Sequence, residues 1–213
     1  MAWNTQLGEG KEMKTLTILL GLILCMPSVG VDKKPLTKEE SAKVIEAAIR
    51  KAAKKPTGEL IKADLEKVTS LRLAGNKLTD VKGLEKLTQL TGLDLTLNQL
   101  TELPKGLENL TQLTSLRLTG NQLTDVKGLE NLTQLTKLYL HKNQLTSVKG
   151  LEKLTELRYL WLNDNQLTDV KGLEKLTQLT TLYLEGNPAL TKAQIDELQK
   201  ALPKCKIISN PTK

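Results

Sequence analysis

Histidine and cysteine, two residue types that often carry nucleophilic, acid–base and metal chemistry, are scarce in this chain. There is one histidine, His141, and there are only two cysteines. Nucleophilic catalysis needs a base beside the nucleophile, but the neighbours of His141 are Lys137, Tyr139 and Lys142, with no carboxylate in sequence to orient the ring. Zinc sites need several Cys or His ligands, and no glycine-rich phosphate loop is present. We therefore expect a protein that is not an enzyme and that has no metal and no cofactor.

Binding is the chemistry that the aromatic residues favour. Aromatic residues make up only 2% of the chain and Phe is absent, yet four of them lie close together in sequence: Tyr139, Tyr159, Trp161 and Tyr183. Tyr and Trp are preferred anchors of protein interfaces, and exposed rings are costly unless they are used. Whether these rings share one surface depends on the elements that carry them.

A repeat of about 22 residues determines those elements. Asparagines recur at positions 76, 98, 121, 143, 165 and 187, spaced 22, 23, 22, 22 and 22 residues apart. Each ends a segment of the form L-x-x-L-x-L-x-x-N. The alternating leucines predict a short strand that points them inward, and stacked copies share a core that one copy cannot bury. The pattern predicts an α/β solenoid with six repeats over residues 65–188 and a parallel inner sheet.

The residues that point away from the core of these strands differ between repeats, while the scaffold is copied. The position between the two strand leucines is occupied in turn by Arg72, Asp94, Arg117, Tyr139, Trp161 and Tyr183. The preceding outward position includes Lys137 and Tyr159, and the following one includes His141 and Asn163. Strands about 4.8 Å apart would place the rings at 139, 161 and 183 in one row. These ten residues are the candidate partner-binding surface.

Three interpretations of the aromatic row stay open at this point. The row binds a protein or peptide, or it stacks on the sugar rings of a glycan, or its rings only ladder against each other, which is worth roughly 0.2–1 kcal/mol per pair. Because leucines already fill the core, we favour the first. The charged run at Arg72, Asp94 and Arg117 either supplies rim contacts or is solvated surface.

Both ends of the repeats need a cap, because an open repeat exposes its leucine core. Thr37 with Glu40 forms a capping box before an apolar stripe, and Thr191 with Gln194 repeats that signature. We expect an N-terminal helical cap over residues 31–64. The C-terminal cap, residues 189–213, is expected to contain a helix and a last strand at 205–208.

Residues 1–30 have the features of an export signal. A short positive region begins at Met13, which is a second candidate for the start of the protein, and an apolar run follows over residues 16–26. That run is shorter than the roughly 20 residues that span a bilayer. We expect cleavage after Gly30 and a secreted or periplasmic protein. The alternatives are an uncleaved N-terminal anchor, which would be the only membrane contact, and acylation of Cys25.

The formal charge of +7 raises the question of nucleic acid. A nucleic-acid binder concentrates basic charge along its reading face, whereas Lys and Arg exceed Asp and Glu here mainly in residues 31–64 and 189–213. We therefore expect a monomer that binds an unidentified protein or peptide and no nucleic acid. After signal cleavage Cys205 would be alone, so no intramolecular disulfide is expected.

These repeats resemble the 22-residue leucine-rich-repeat class of bacterial internalins and of a eukaryotic phosphatase-1 regulatory subunit. The stretch Ala63-Asp64-Leu65-Glu66-Lys67-Val68-Thr69-Ser70-Leu71, preceded by a helical cap, looks especially like an internalin cap, and residues 121–126 are similar to that family's repeats. The resemblance covers roughly residues 37–188. It implies a bacterial protein-binding module that is secreted or periplasmic.

Overall fold

The structure is a computed structural model that describes residues 34–210. The predicted export signal, with its apolar run and Cys25, lies outside the described residues, as do residues 211–213.

Seven short parallel strands form one open sheet, in which each strand pairs with the next one along the chain. They are β1 (Ser70–Arg72), β2 (Gly92–Asp94), β3 (Ser115–Arg117), β4 (Lys137–Tyr139), β5 (Tyr159–Trp161), β6 (Thr181–Tyr183) and β7 (Lys206–Ile208). Their order in the sheet is their order in the chain. The predicted α/β solenoid with a parallel sheet is confirmed.

Leucines from the strands and from the outer turns form one continuous core. The middle residue of each strand from β1 to β6 is a buried leucine, and its two neighbours point away from the core. Leu116 and Leu138 are register partners on adjacent strands, and both are fully buried. The leucines of the outer turns, such as Leu132, are equally buried. Because each repeat covers the leucines of the next, stability comes from stacking.

The chain turns along its outer face at glycines with positive φ. Gly172, for example, has φ 99° and precedes a short 3-10 helix at Leu173–Lys175. Its N–H donates to Glu174 Oε2 at 2.6 Å, and the same glycine–glutamate bond forms at Gly83, Gly128 and Gly150. The pKa of Glu152 is lowered by hydrogen bonds that its carboxylate accepts from the backbone N–H groups of Glu152 itself and of Gly150. The copied K-G-L-E sequence is therefore a backbone turn.

Five of the six repeat asparagines each join two successive turns, and each lies four residues beyond the end of a strand. Asn143 Nδ2 donates to Leu118 O at 3.0 Å and to Leu140 O at 2.9 Å, while its Oδ1 accepts from Leu123 N at 3.1 Å. Equivalent bonds recur at Asn98, Asn121, Asn165 and Asn187. Buried backbone groups need such partners, so these side chains hold the bends of the solenoid.

An N-terminal helix packs against the first strand. Helix α1 (Lys38–Ala52) begins at the Thr37–Glu40 capping box and buries Ile45 and Ile49. A short helix, α2 (Lys62–Leu65), follows it and carries the buried Asp64. The Asp64 carboxylate accepts from Lys55 Nζ at 2.6 Å and from Lys67 Nζ at 3.4 Å.

The C-terminal end consists of helix α3 (Lys192–Ala201) and strand β7. The helix begins at a capping box of Thr191 and Gln194 and buries Leu198. Strand β7 pairs with β6 in a register that sets Ile208 opposite Tyr183. None of the helices in residues 34–210 has the length and apolar character needed to cross a membrane.

Candidate functional site

The ten candidate residues lie on the side of the sheet away from the leucine core, which we call the inner face. The third residues of strands β1 to β6 are aligned by the parallel register and form what we call the second row: Arg72, Asp94, Arg117, Tyr139, Trp161 and Tyr183. The first residues of the strands form the first row, in which Lys137 and Tyr159 are register partners. His141 and Asn163 follow the ends of β4 and β5 and make up the third row.

Four rings form a contiguous cluster, which we call the aromatic block: Tyr139, Tyr159, Trp161 and Tyr183. Trp161 is at its centre. Its ring is stacked on that of Tyr139, with centroids 4.2 Å apart, and on that of Tyr183, with centroids 5.4 Å apart; both pairs are within 12° of parallel. The ring of Tyr159 lies 6.0 Å from that of Trp161. Stacked rings at these distances attract each other beyond their area burial.

The stack covers both faces of the Trp161 ring, and each of the four rings keeps some accessible surface. Tyr139, Trp161 and Tyr183 are half-buried, and Tyr159 is 37% exposed. Within residues 34–210, neither the three tyrosine hydroxyls nor the indole N–H of Trp161 has a hydrogen-bond partner. The block therefore presents accessible apolar ring surface together with four polar groups that can bond to another molecule.

Two exposed cations, Arg117 and Lys137, lie over rings of the aromatic block, and a third, Arg158, directly precedes Tyr159 in the chain. Arg117 Cζ lies 5.0 Å from the ring centroid of Tyr139, and Lys137 Nζ lies 5.9 Å from that of Tyr159. Both distances are within the range of cation–π attraction. Among the described residues, none of the three cations has a carboxylate within ion-pair distance.

At the other end of the second row, some of the charged side chains pair with each other. Arg72 Nε lies 3.7 Å from Asp94 Oδ2. Asp94 Oδ1 also accepts from Thr96 N at 3.0 Å, and the Asp94 side chain is only 18% exposed. Arg72 and Asp94 therefore form a pair, whereas Arg117 belongs with the aromatic block.

The third row is polar. His141 Nδ1 lies 3.3 Å from Thr119 Oγ1. Burial, and after it the charge of Lys142, lowers the pKa of His141, with Asp164 acting in the opposite direction; the ring is neutral at pH 7. Asn163 Nδ2 donates to Asp164 Oδ2 at 2.9 Å, and the buried Asn163 Oδ1 has no partner in this part of the chain.

Groups for covalent or metal chemistry are not assembled on this face. The side-chain hydrogen bond of His141 goes to a threonine. No three Cys, His, Asp or Glu residues between positions 34 and 210 are grouped so that they could hold a metal ion. Burial raises the pKa of the Cys205 thiol to about 11, so this sulfur is protonated at neutral pH and is a poor nucleophile.

Three residues of this surface were missed by sequence reasoning. Arg158 occupies a column that is otherwise threonine (Thr69, Thr91, Thr114, Thr136 and Thr180), and that contrast could have identified it. Ile208 extends the second row beyond Tyr183, but only the pairing of β7 shows this. Leu97 is 64% exposed with φ 54°, at a position where neighbouring repeats have Gly75 and Gly120.

Two family models match the chain. One, described as leucine-rich repeats in two copies, matches residues 111–153, 133–174 and 155–200, and the other, described as a leucine-rich repeat, matches residues 66–123. Together they span residues 66–200, which is more than half of the chain. No curated protein sequence gives a significant match.

Solved structures of Listeria monocytogenes internalins are similar to the chain. Internalin C2 matches with a TM-score of 0.61 and 29% identity over 77% of this chain and 81% of its own. The internalin InlF matches at 0.63 and 27%, over 81% of this chain and 56% of its own. The functional domain of InlJ, which includes a cysteine ladder, matches at 0.60 and 30%, over 79% and 41%.

The chain thus spans most of one of these relatives and about half or less of the other two. A fold of this kind is typical of protein-interaction modules that are not enzymes. The chain belongs to the leucine-rich-repeat family, and its repeat domain resembles those of the internalins.

Proposed function

We propose that the protein binds another protein or a peptide through its inner face, with the aromatic block as the anchor. The observation that carries this proposal is the block itself. In a scaffold whose repeats are otherwise copies, the three tyrosines and Trp161 are gathered on one face of β4, β5 and β6. The leucine core is already filled without them, and Tyr and Trp are the residues that most often anchor interfaces.

The exposed groups of the block suit a polypeptide partner. The accessible ring surface supplies apolar contact area, and the free hydroxyls and indole N–H can bond to backbone carbonyls. The rings already hold one another in place, so little side-chain entropy would be lost on binding. Stacking therefore gives the rings a structural contribution and also pre-organises the surface.

Glycan binding is a weaker proposal for this surface. Sugars stack on free ring faces, whereas Trp161 has Tyr139 on one face and Tyr183 on the other. The outer face of Tyr139 is covered by Arg117. The ring of Tyr159, the most exposed of the four, has the Trp161 ring 6.0 Å away and Lys137 Nζ 5.9 Å from its centroid.

Export belongs to the same proposal. A protein-binding module of this family with an N-terminal sequence of signal type would meet its partner outside the cytoplasm, in the periplasm or in the medium. The membrane-anchored alternatives, through residues 16–26 or an acylated Cys25, leave the inner face equally available.

The proposal is tested by capture from native extracellular or envelope extract. The chain and a Tyr139→Ala/Trp161→Ala/Tyr183→Ala variant are immobilised side by side, with circular dichroism to check that both are folded. We expect a protein retained by the unmodified chain alone. Because ring removal can disturb the sheet, Thr181→Glu, which adds a charge between Tyr159 and Tyr183 without removing a ring, serves as a second variant.

Either variant should lose the retained protein. A protein held equally by all three chains would place binding on the caps or the outer face and overturn the proposal. The glycan alternative would be favoured if added oligosaccharide abolished retention while added peptide digests of the extract did not affect it.

A further inference from the structure

The three cations Arg117, Lys137 and Arg158 follow a diagonal across the sheet. Arg117 is the last residue of β3, Lys137 is the first residue of β4, and Arg158 directly precedes β5. Strands are about 4.8 Å apart and residues along a strand about 3.3 Å apart, so the steps between these Cα atoms are about 6–8 Å. The diagonal thus runs along one side of the block through three successive repeats.

Within residues 34–210, none of these three cations has a carboxylate within ion-pair distance. Arg72 is paired with Asp94, and Lys55 with Asp64. Arg117 and Lys137 instead lie over ring faces. A partner that covered the block would remove water from these charges, and burying an unpaired charge is expensive. A partner that binds here must therefore bring acceptors for them.

We propose that the partner segment on the aromatic block is acidic, with carboxylates placed against Arg117, Lys137 and Arg158. This inference rests on the proposed function and specifies its partner. Charge complementarity orients the segment: its acidic side faces the diagonal, and its apolar side chains lie on the rings.

The opposite side of the block limits the length of that acidic segment. Asp164 and Glu185 are exposed beyond the ends of β5 and β6. They would repel a continuous polyanion such as nucleic acid, which needs an extended basic surface. The surface thus suits a short run of Asp or Glu within a polypeptide.

Selection from a library of random peptides tests the inference. The full chain is the target, and the Tyr139→Ala/Trp161→Ala/Tyr183→Ala variant is used to discard peptides that do not need the aromatic block. The affinities of the remaining peptides are then measured for R117Q/K137Q/R158Q and for K127Q/K149Q/K171Q. The second triple variant removes the same charge from exposed lysines of the outer turns.

We expect block-dependent peptides enriched in Asp and Glu, bound about tenfold more weakly by the diagonal variant and unchanged by the outer-turn variant. Block-dependent peptides without acidic enrichment, or indifferent to the diagonal variant, would overturn the inference and leave the proposed function standing. If no selected peptide needs the block, the proposed function fails and the inference fails with it. Displacement of the peptides by a random-sequence oligonucleotide at equal charge concentration would also count against an acidic polypeptide.

Discussion

At the scale of single residues, the asparagine that follows each of the strands β2 to β6 by four residues bonds to the backbone of two successive turns. We predict that Asn143→Ala lowers the free energy of unfolding by about 2 kcal/mol, because the buried Leu123 N–H loses its partner and the carbonyls of Leu118 and Leu140 each lose one of two donors. Urea denaturation followed by circular dichroism measures this. Asn131→Ala removes the same group from an exposed outer turn and should change stability by less than about 0.5 kcal/mol. Equal effects at the two sites would show that the hydrogen bonds contribute little.

The backbone conformation of Leu97 lowers the stability of the fold. Its φ of 54° places an exposed leucine in the left-handed region, which costs roughly 1–2 kcal/mol for a residue with Cβ. We predict that Leu97→Asn raises the free energy of unfolding by about 0.5–1 kcal/mol, because Asn tolerates this conformation. Leu97→Ala keeps the strain and should give no such gain. The Leu97 side chain lies beside Gly120, and a loss of stability in both variants would mean that this contact outweighs the strain.

The residues that lie on the inner face could be predicted because the repeat is regular. The 22-residue period fixes which residues point away from the core, so the aromatic row follows from counting. Ring orientation could not be predicted in the same way. Whether Tyr139 and Trp161 lie face to face depends on side-chain torsions, and these are set by packing rather than by the period.

At the scale of elements, the N-terminal helices depend on one buried carboxylate. The hydrogen bond from Lys55 is the largest cause that lowers the pKa of Asp64 below its usual 3.8, and bonds from Ile61 N–H and Lys67 add to it. The folded state therefore favours the ionised form. Its stabilisation is present above pH 3.8 and is lost as the pH falls through the lower pKa of the folded state.

We predict that Asp64→Asn is less stable than the unmodified chain at neutral pH and that the difference narrows below pH 3.8. Melting temperatures between pH 2.5 and 7 measure both effects, with Asp80→Asn, an exposed aspartate, as the control. A difference that stays constant over this range would show that the ion pair with Lys55 does not carry the stabilisation.

The first residues of the helices could be predicted from the sequence, whereas the last strand could be predicted only in part. The capping boxes at Thr37 and Thr191 have a local signature, three residues long, that does not depend on distant contacts. Strand β7 lies outside the repeat period, so its residues could be suggested but not its register. That register depends on contacts between residues distant in sequence, and it places Ile208 opposite Tyr183.

At the scale of the whole molecule, the residues that hold the solenoid together differ from those that vary between repeats. Leucines, asparagines and turn glycines hold the repeats together and barely differ between copies. The inner face can therefore vary without altering the core. Small and charged residues occupy the inner face of the first three strands, and the rings occupy that of the next three. The two ends of the face are expected to contribute unequally to binding.

The most direct test of binding at the aromatic block is site-specific photocrosslinking in native extracellular or envelope extract. A benzophenone amino acid replaces Tyr159, the most exposed ring of the block, and in a second protein it replaces Thr133, which is exposed on an outer turn. We predict one discrete adduct with a polypeptide from position 159 and none from position 133. An adduct that forms from position 133 alone, or equally from both positions, would contradict binding at the block.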